Sequence, residues 1–448
     1  MSEENTIPTL DLEDFFKTEY ISFSVYDNVR KIASYIDGQK NVTRKILYTM
    51  MQTNIDKFTK VSNLGPRIQD YSQYLHGTLE PSVVNMTQNY RGSGNNLPML
   101  EGDGNFGSAF IPEAAATRYI FARKAPYLTD IFVKDDFTNL PAQNFEGSPI
   151  EPKYYVPVIP MLLVNGVEGL SIGFAQRVAP RDPHQVKLWV EQKAKGEKIT
   201  ADLTPHWIGT NYKVSQQTGF HNKWEIRGNF YRKNSRRIVI DCIPVNHTLA
   251  SYLKVLDRLV EMKEIKDYED LSDNDEFLFE IKVGKEFIEK DDDWIERKLG
   301  LVKSYTENYT CIDENNKIRQ FESLDEILDS WYDVRISYNA LRKKSVLKKL
   351  TDEKDHAARR ASFVKGVVDG KIELKNTKEA DVIQQAEAYD PQLEGYVPEF
   401  LKLPMRVLTA EEIKKQLDRV KKLEKEIKEY SKLTHEDILV NDLAKLQF

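Results

Sequence analysis

Cysteine is almost absent from this chain, because its 448 residues include only Cys242 and Cys311. The two lie far apart and show no metal-ligand spacing, which argues against a disulfide framework and a zinc site. No apolar run approaches the ~20 residues of a membrane-spanning helix, and the acidic N-terminus lacks a signal-peptide pattern. We therefore expect an intracellular protein with two free thiols and no membrane partner.

Nucleotide-binding and metal-binding motifs are missing as well. The chain has no GxxxxGK[ST] loop, so we expect no ATP hydrolysis by this polypeptide. Its acidic residues form no cluster of the EGDSA…DxD type, so we expect no metal site in it either. A reaction that needs ATP or a divalent cation would then depend on another chain.

The chain is slightly acidic overall, but positive charge is concentrated in one segment. The net charge is −6, yet the segment from Arg30 to Lys124 holds 12 basic and 7 acidic residues, a local charge of +5. Because nucleic-acid binding depends on the local field, this segment is compatible with phosphate contacts. Residues 41–50 are typical of an amphipathic helix, with Arg44 and Lys45 projecting from the face opposite its apolar residues.

The rest of the chain changes in character twice. Short runs rich in β-branched and aromatic residues predict strands at 157–164, 170–175, 224–230, 237–244 and 277–283. From Ser323 a four-three spacing of apolar residues is typical of a coiled-coil helix, which Asp369-Gly370 ends. Thr409 and Glu412 form a capping box that starts a second long helix. The pattern predicts two opposed helical arms with a small globular knob between them.

A glycine-rich loop that leads to a tyrosine is the most informative feature of the sequence. In the run LEGDGNFGSAFIPEAAATRY at 100–119, Gly102, Gly104 and Gly107 precede the pair Arg118-Tyr119. Glycines allow a backbone to approach a bulky polyanion. A tyrosine hydroxyl is a weak nucleophile unless its anion is stabilised, and the adjacent guanidinium offers that stabilisation.

Together with four other segments, this loop resembles the DNA-cleaving subunit of type II topoisomerases. That family includes the A subunits of gyrase and topoisomerase IV and the medium subunit of T-even-type phage topoisomerase. The other segments are DGQKNVTRKILY at 37–48, YLHG at 74–77, LVNGVEGLSIG at 163–173 and FLKLPMRVLT at 400–409. The resemblance covers nearly the whole chain and is most detailed from about 30 to 180.

The resemblance implies a set of catalytic residues. Tyr119 would attack the DNA phosphate, and three residues would support it: Arg118, Arg30 and His76. The plainer interpretation is that a lone tyrosine or histidine packs in the fold and that a lone arginine is solvated.

It also implies a set of DNA-binding residues. The basic ones are Lys40, Arg44 and Lys45, which fall on the family's DNA-contacting positions. Leu170 falls on the apolar residue that wedges between base pairs and bends the duplex. An isolated leucine is more often a core residue, but the surrounding Asn-Gly and Gly-x-x-Gly frame favours the wedge.

The fold class implied is multidomain α+β. Residues 1–155 would form a winged-helix DNA-binding and cleavage domain with an N-terminal arm, and residues 156–322 an α+β tower (shoulder) domain. Residues 323–448 would form a long antiparallel coiled coil with a globular dimer-interface tip, the knob, at about 371–408.

The resemblance further implies partners and cofactors. Double-stranded DNA would be the substrate, and a second copy of the chain would complete a C2 homodimer. A separate ATPase and metal-binding subunit would bind both Mg²⁺ and ATP, because Glu101 and Asp103 fall on the glycine loop of the cleaving subunit. The location would be the cytoplasm, that of the host cell if the protein is phage-encoded.

The activity implied is an ATP-dependent type II topoisomerase reaction. A 5′-phosphotyrosine link would hold a transient double-strand break while a second duplex passes, and religation would follow. Because the sequence stops soon after the second helical arm, we expect relaxation and decatenation rather than negative supercoiling.

Two other functions stay open at this stage. A non-catalytic DNA clamp or architectural dimer would use the same basic helix and coiled coil, but it would have no use for Tyr119. A helical-arm interaction protein without a nucleic-acid role is favoured only by the net charge.

Overall fold

The computed structural model describes residues 11–53, 55–74, 77–245, 247–273 and 276–448. The chain forms two compact units, of which the first extends to Arg335 and also includes Leu439–Phe448. The second spans Ile336–Ile438. The first unit contains both helices and strands, and to that extent the predicted α+β class is confirmed. Within the described ranges, no helix is long and apolar enough to cross a membrane.

The N-terminal part of the first unit is mainly helical. Its helices are α1 (Leu12–Phe15), α2 (Ile21–Lys31), α3 (Asn41–Gln52), α4 (Val61–Ser72), α5 (Glu80–Thr87) and α6 (Leu128–Ile131), with a π-helical turn at Phe16–Tyr20. Helix α3 confirms the helix predicted for residues 41–50, and its apolar residues are buried where it packs against α4 and α5. Burial of one face is what stabilises so short a helix.

A small antiparallel sheet stands beside these helices. Its strands are β1 (Thr59–Lys60), β2 (Leu100–Asp103) and β3 (Phe121–Lys124), in the order β1-β3-β2. The central strand β3 follows Tyr119 after one residue. The sheet therefore fixes the backbone next to that tyrosine.

Two hairpins and one short helix come next. Strand β4 (Gln143–Phe145) pairs with β5 (Ser148–Ile150), helix α7 spans Met161–Asn165, and β6 (Val167–Leu170) pairs with β7 (Ala175–Val178). The strand predicted at 157–164 is wrong, because a short buried apolar run does not distinguish a strand from a helix. The strand predicted at 170–175 is also wrong, since residues 171–174 form the turn between β6 and β7 and only the two end residues, Leu170 and Ala175, belong to strands.

The rest of the first unit contains two larger sheets. Their strands are β8 (Lys213–Gln216), β9 (Lys223–Arg227), β10 (Asn229–Asn234), β11 (Arg237–Cys242), β12 (Asp267–Asp270), β13 (Phe279–Lys282) and β14 (Val302–Thr306). One sheet has the order β14-β9-β8 and the other the order β10-β11-β13-β12. Strand β15 (Thr310–Ile312) pairs with β16 (Ile318–Gln320) in a separate two-stranded sheet. The helices are α8 (Pro183–Lys195), α9 (Leu249–Glu261), α10 (Lys285–Ile288) and α11 (Asp292–Lys298). The strands predicted at 224–230, 237–244 and 277–283 are confirmed.

Long helices dominate the second unit. Helix α12 (Leu324–Val368) enters it from the first unit, and α13 (Glu379–Tyr389), α14 (Val397–Phe400) and α15 (Ala410–Lys432) follow. Helix α16 (His435–Lys445) begins in the second unit and ends in the first. Side-chain contacts show that α12 and α15 run antiparallel: Arg360 meets Glu412 at 2.7 Å, and Glu353 meets Arg419 at 3.2 Å. Between these helices, a separate small core contains Phe363, Val364, Ile372, Val382, Leu393 and Phe400.

The start of α15 differs in one detail from the predicted capping box. The Thr409 hydroxyl accepts a hydrogen bond from the Glu412 amide at 3.3 Å, as an N-cap does. The Glu412 carboxylate binds Arg360 and the Gln416 side chain. The glutamate is therefore used to hold the two long helices together.

Candidate active site

Tyr119 stands on an exposed turn at the edge of the small sheet. Its backbone amide donates to the Ala116 carbonyl at 2.9 Å, and its side chain is 66% exposed. The Arg118 guanidinium lies 5.0 Å from the centre of its ring. A guanidinium at this distance interacts with the face of the aromatic ring, so the two side chains present a positive charge and a hydroxyl side by side on the surface.

The glycine-rich loop supports the segment that carries Tyr119. Gly104 has φ +106°, and a Cβ there would lie 3.0 Å from the Ile120 side chain. Gly107 has φ +96°, and a Cβ there would lie 2.4 Å from the Pro112 carbonyl oxygen. Both positions therefore require glycine for conformation and for close approach within the chain. The sequence predicts that these glycines admit a polyanion, which stays a prediction, and the structure adds a packing role for Gly104 and Gly107.

Two hydrogen-bond connections complete this support. The Ala115 amide donates to the Asn105 carbonyl at 2.9 Å. The Gln88 side-chain amide donates to both the Phe106 and the Pro112 carbonyls at 2.9 Å. The turn that presents Tyr119 is thus tied to α5 and to the glycine loop.

Substitution of Gly107 tests this support. We expect Gly107→Ala to lower DNA cleavage by about 10²-fold, because displacement of the Pro112 segment misplaces the nucleophile. Gly147→Ala is the matched control, because Gly147 also has positive φ but a Cβ there would meet no atom within 4 Å. Cleavage is measured beside the melting temperature of each variant. Equal cleavage by the two variants would contradict the packing role.

Arg44 and Lys45 do not project from α3 into solvent. Arg44 is 6% exposed and pairs with Asp37, its Nε donating to Oδ2 at 2.8 Å. Lys45 is 8% exposed and donates from Nζ to Glu151 Oε2 at 2.9 Å and to the Ser72 carbonyl at 2.8 Å. The predicted orientation of both side chains is wrong, because each has a buried carboxylate partner that the helical pattern does not reveal.

The Asp37 carboxylate organises the turn that begins α3. Besides Arg44, it accepts hydrogen bonds from the Gln39 amide at 2.9 Å and from the Tyr155 amide at 3.0 Å. Asp37 and Gly38 signal a turn in the sequence, but the contact with Tyr155 spans 118 positions and has no local signal. This network positions the residue that precedes the helix, Lys40.

Lys40 and Arg30 line one cavity of about 410 Å³. The Lys40 Nζ donates to the Glu168 carbonyl at 2.6 Å, and burial lowers the pKa of this lysine while the charge of Glu168 opposes the change. Arg30 lies on α2 and is half-buried. The structure therefore brings together two of the predicted basic residues, but it does not place Tyr119 or Arg118 among those that line this cavity. His76 lies outside the described residues.

Leu170 is, at 79%, the most exposed large apolar side chain in the described part of the chain. It ends β6 at the tip of a hairpin, where the Ser171 hydroxyl donates to Asp27 at 2.8 Å. A Cβ at Gly169 would lie 2.6 Å from the Lys31 carbonyl, so the hairpin packs closely on the end of α2. An apolar side chain held rigidly in solvent is suited to insertion into another molecule.

The acidic residues near Tyr119 do not fit a Mg²⁺ site. Glu101 binds Arg123, whose Nε donates to its Oε2 at 2.9 Å. Among the residues that the structure describes, no group of three or more Asp, Glu, His or Cys side chains could hold a metal ion. Because Glu101 already neutralises an arginine, it is a poor ligand for a hard divalent cation.

The comparisons with known proteins agree on one family. Residues 30–447 match the family model that describes the A subunits of DNA gyrase and topoisomerase IV. The DNA topoisomerase medium subunit of Enterobacteria phage T4 is 27% identical over 438 residues, with 95% of this chain and 96% of the relative covered. The mitochondrial DNA topoisomerase 2 of Dictyostelium discoideum is 29% identical over 399 residues, and the match covers 86% of this chain but only 30% of that relative.

A solved structure agrees in fold. The DNA-binding, cleavage and re-ligation domain of Plasmodium falciparum topoisomerase II superposes with a TM-score of 0.87 at 26% sequence identity. The match covers 98% of this chain and 64% of that chain.

Proposed function

The chain belongs to the family of DNA gyrase and topoisomerase IV A subunits, and from this premise we propose that it is the DNA breakage-reunion subunit of an ATP-dependent type II topoisomerase. The observation that carries the proposal is the exposed Tyr119 beside the Arg118 guanidinium, held by the glycine loop at the edge of a sheet.

The reaction is a transesterification. The Tyr119 hydroxyl oxygen attacks a DNA phosphorus, an O–P bond to tyrosine forms, and the bond from phosphorus to the 3′ oxygen breaks. The phenol proton leaves to a base, and the departing 3′ oxygen gains a proton. One phosphodiester replaces another, so religation by the reverse step needs no energy input. Arg118 stabilises charge on the phenolate and on the phosphate.

DNA would lie across the cavity of Arg30 and Lys40 and against the hairpin tip. Arg30 and Lys40 contact phosphates, and Leu170 enters the base stack and bends the duplex. Arg44 and Lys45 are buried against Asp37 and Glu151, so Arg44 acts through the turn that holds Lys40 in place and Lys45 acts by fixing helix α3. His76 would assist at the scissile phosphate, as its motif implies.

Leu170 gives a direct test of the bent-DNA part of the proposal. We expect Leu170→Ala to reduce DNA bending and to lower cleavage about tenfold. Insertion of Leu170 bends the duplex, and the additional protein–DNA contacts of the bent duplex offset the free energy of unstacking. Non-specific affinity depends on phosphate contacts and should change less than about twofold. Bending is measured by energy transfer between the ends of a short duplex, with Leu271→Ala as an exposed control. Unchanged bending would remove the wedge role.

The partners proposed are a second copy of the chain and a subunit with the ATPase and metal-binding functions. The phage relative is itself named a medium subunit. A C2 dimer would place one Tyr119 on each strand and use the knob of the second unit as its contact. The other subunit would supply the Mg²⁺ and ATP sites, since the acidic residues here do not fit a metal site.

The N-terminal helices offer a surface for that subunit. Leu12, Phe16, Ile21, Phe23, Val25 and Tyr26 are all exposed, between 47% and 69%. The exposure of so many neighbouring apolar side chains to water is unfavourable in free energy, and such a surface marks a contact with another protein. It lies on the helical segment that leads to Arg30, so a subunit bound there would stand next to the cavity.

One experiment separates this function from a non-catalytic DNA clamp. The chain is mixed with its partner subunit, Mg²⁺, ATP and supercoiled plasmid, and the reaction is stopped with detergent. A breakage-reunion subunit yields relaxed plasmid and cut DNA with protein bound to its ends. A clamp leaves the plasmid intact and free of bound protein after denaturation, and that result would refute the proposal.

A further inference from the structure

A second cavity, of about 340 Å³, adjoins the segment between α5 and Tyr119. Residues from that segment form one wall, and residues that flank β8, β11 and β13 form the other. Its lining includes Tyr90, Arg91, Ser93, Tyr212, His247 and Phe277. A cavity of this size is within the range of small-molecule sites in proteins.

The cavity carries one positive charge that no carboxylate balances. Its lining contains no aspartate or glutamate, and within the described part of the chain Arg91 has no ion pair or hydrogen bond. Burial lowers the pKa of His247 to about 4, and Lys303 adds to that effect, so this histidine is neutral near pH 7. An unneutralised guanidinium in a partly closed cavity favours an anionic ligand.

Several hydroxyl groups line the same cavity as the Arg91 guanidinium. Burial raises the pKa of Tyr212 and Arg91 opposes that change, so the phenol stays protonated and able to donate. The other hydroxyls belong to Tyr90, Ser93, Thr210 and Thr248. Phosphate oxygens accept several hydrogen bonds at once, which matches a cavity that offers a guanidinium and several hydroxyls.

The cavity lining also includes apolar side chains. Phe277, Ile243 and Pro112 are among them, and they offer a surface for the body of a ligand. We propose that this cavity binds a small organic phosphate monoester of about the size of a nucleoside monophosphate, with the phosphate on Arg91 and the apolar body against Phe277.

Such a ligand would contact residues that hold the segment before Tyr119 in place. Ser93 lines both this cavity and the one that contains Arg30 and Lys40. Pro112 carries the carbonyl that accepts from Gln88 and that Gly107 approaches. A bound phosphate would therefore brace the segment that presents Tyr119, and it would change the amount of cleaved DNA.

The test is a calorimetric titration of the full-length chain with dAMP, without DNA or partner subunit, so that its outcome is independent of cleavage. Deoxyadenosine serves as the probe without phosphate. We expect dAMP to bind, deoxyadenosine to bind at least about tenfold more weakly, and Arg91→Met to lose about ten- to hundredfold in dAMP affinity. Arg236→Met, at an exposed arginine, is the control and should bind like the wild type.

Several results would overturn the proposal. These are no dAMP binding by the wild type, equal binding by Arg91→Met, or equal binding of dAMP and deoxyadenosine. If Arg91→Met does not fold, as judged by its melting temperature, Tyr212→Phe replaces it and should weaken dAMP binding severalfold. If Arg91→Met weakens binding of a short duplex while dAMP does not bind, Arg91 belongs to the DNA path and the small-ligand site is refuted.

Discussion

Tyr119→Phe should abolish DNA cleavage while DNA binding and dimer formation stay at wild-type levels. The substitution removes only the hydroxyl oxygen that becomes bonded to phosphorus, and the side chain is 66% exposed, so little packing is lost. Loss of a nucleophile lowers the rate of a covalent step by a factor on the order of 10⁴ or more. Relaxation of supercoiled plasmid by the assembled enzyme is the measurement.

A matched control addresses the other tyrosines near the surface. Tyr71→Phe changes a side chain that is 47% exposed and that lies at the end of α4. It should leave relaxation unchanged. Relaxation by Tyr119→Phe at the wild-type rate, or its loss in Tyr71→Phe alone, would assign the chemistry to a different residue.

Arg181→Met should destabilise the first unit by about 3–5 kcal/mol, because it leaves the Glu307 carboxylate buried without its partner. Both side chains are fully buried, and they form two parallel hydrogen bonds of 2.6 and 2.7 Å. Glu307 also accepts from the Ala179 amide, the Trp224 indole and the Tyr309 hydroxyl. Chemical denaturation followed by tryptophan fluorescence measures the loss.

The control for that substitution is an exposed ion pair. Lys282→Met breaks a pair with Asp267 in which both partners are about half exposed, and it should cost less than about 1 kcal/mol. A loss as small as this for Arg181→Met would show that the buried pair does not hold the surrounding strands together.

The pH dependence of the buried pair has a definite sign. Burial alone would raise the pKa of Glu307, but the charge of Arg181 and the hydrogen bonds from Arg181, the Ala179 amide and Trp224 together outweigh it, and the pKa is lowered. A lowered pKa stabilises the fold above the ordinary carboxyl pKa, and that stabilisation is lost as the pH falls through the folded value. In Arg181→Met, the charge and hydrogen bonds of Arg181 are lost, so burial has more weight and the pKa of Glu307 is higher than in the wild type. The stability difference between wild type and variant should therefore narrow as the pH falls from neutral through the ordinary carboxyl range.

The sequence predicts the elements whose pattern is local. The amphipathic run at 41–50 and the strand patterns at 224–230, 237–244 and 277–283 correspond to elements of the structure. The end of α12 falls at Asp369-Gly370, where glycine stops a helix. The apolar run at 157–164 fails because burial without periodicity is equally compatible with a short helix and a loop.

The sequence predicts the surroundings of some candidate-site residues but not of others, again because only local patterns can be recognised in it. The Arg118-Tyr119 pair and exposed Leu170 stand in motifs that are continuous in sequence. Arg44 and Lys45 have their buried partners at Asp37 and Glu151, and the second contact spans 106 positions. A helical pattern shows which face is apolar, but it does not show that a distant carboxylate covers the basic face.

The most direct test of the central proposal is to identify the atom that joins protein to DNA. The chain is incubated with its partner subunit, Mg²⁺ and a duplex labelled at one end, then denatured, digested with protease and analysed by mass spectrometry. The proposal predicts a single phosphotyrosyl peptide that contains Tyr119 linked to a 5′ phosphate. A link to another residue, a link to a 3′ phosphate, or no covalent link would contradict it.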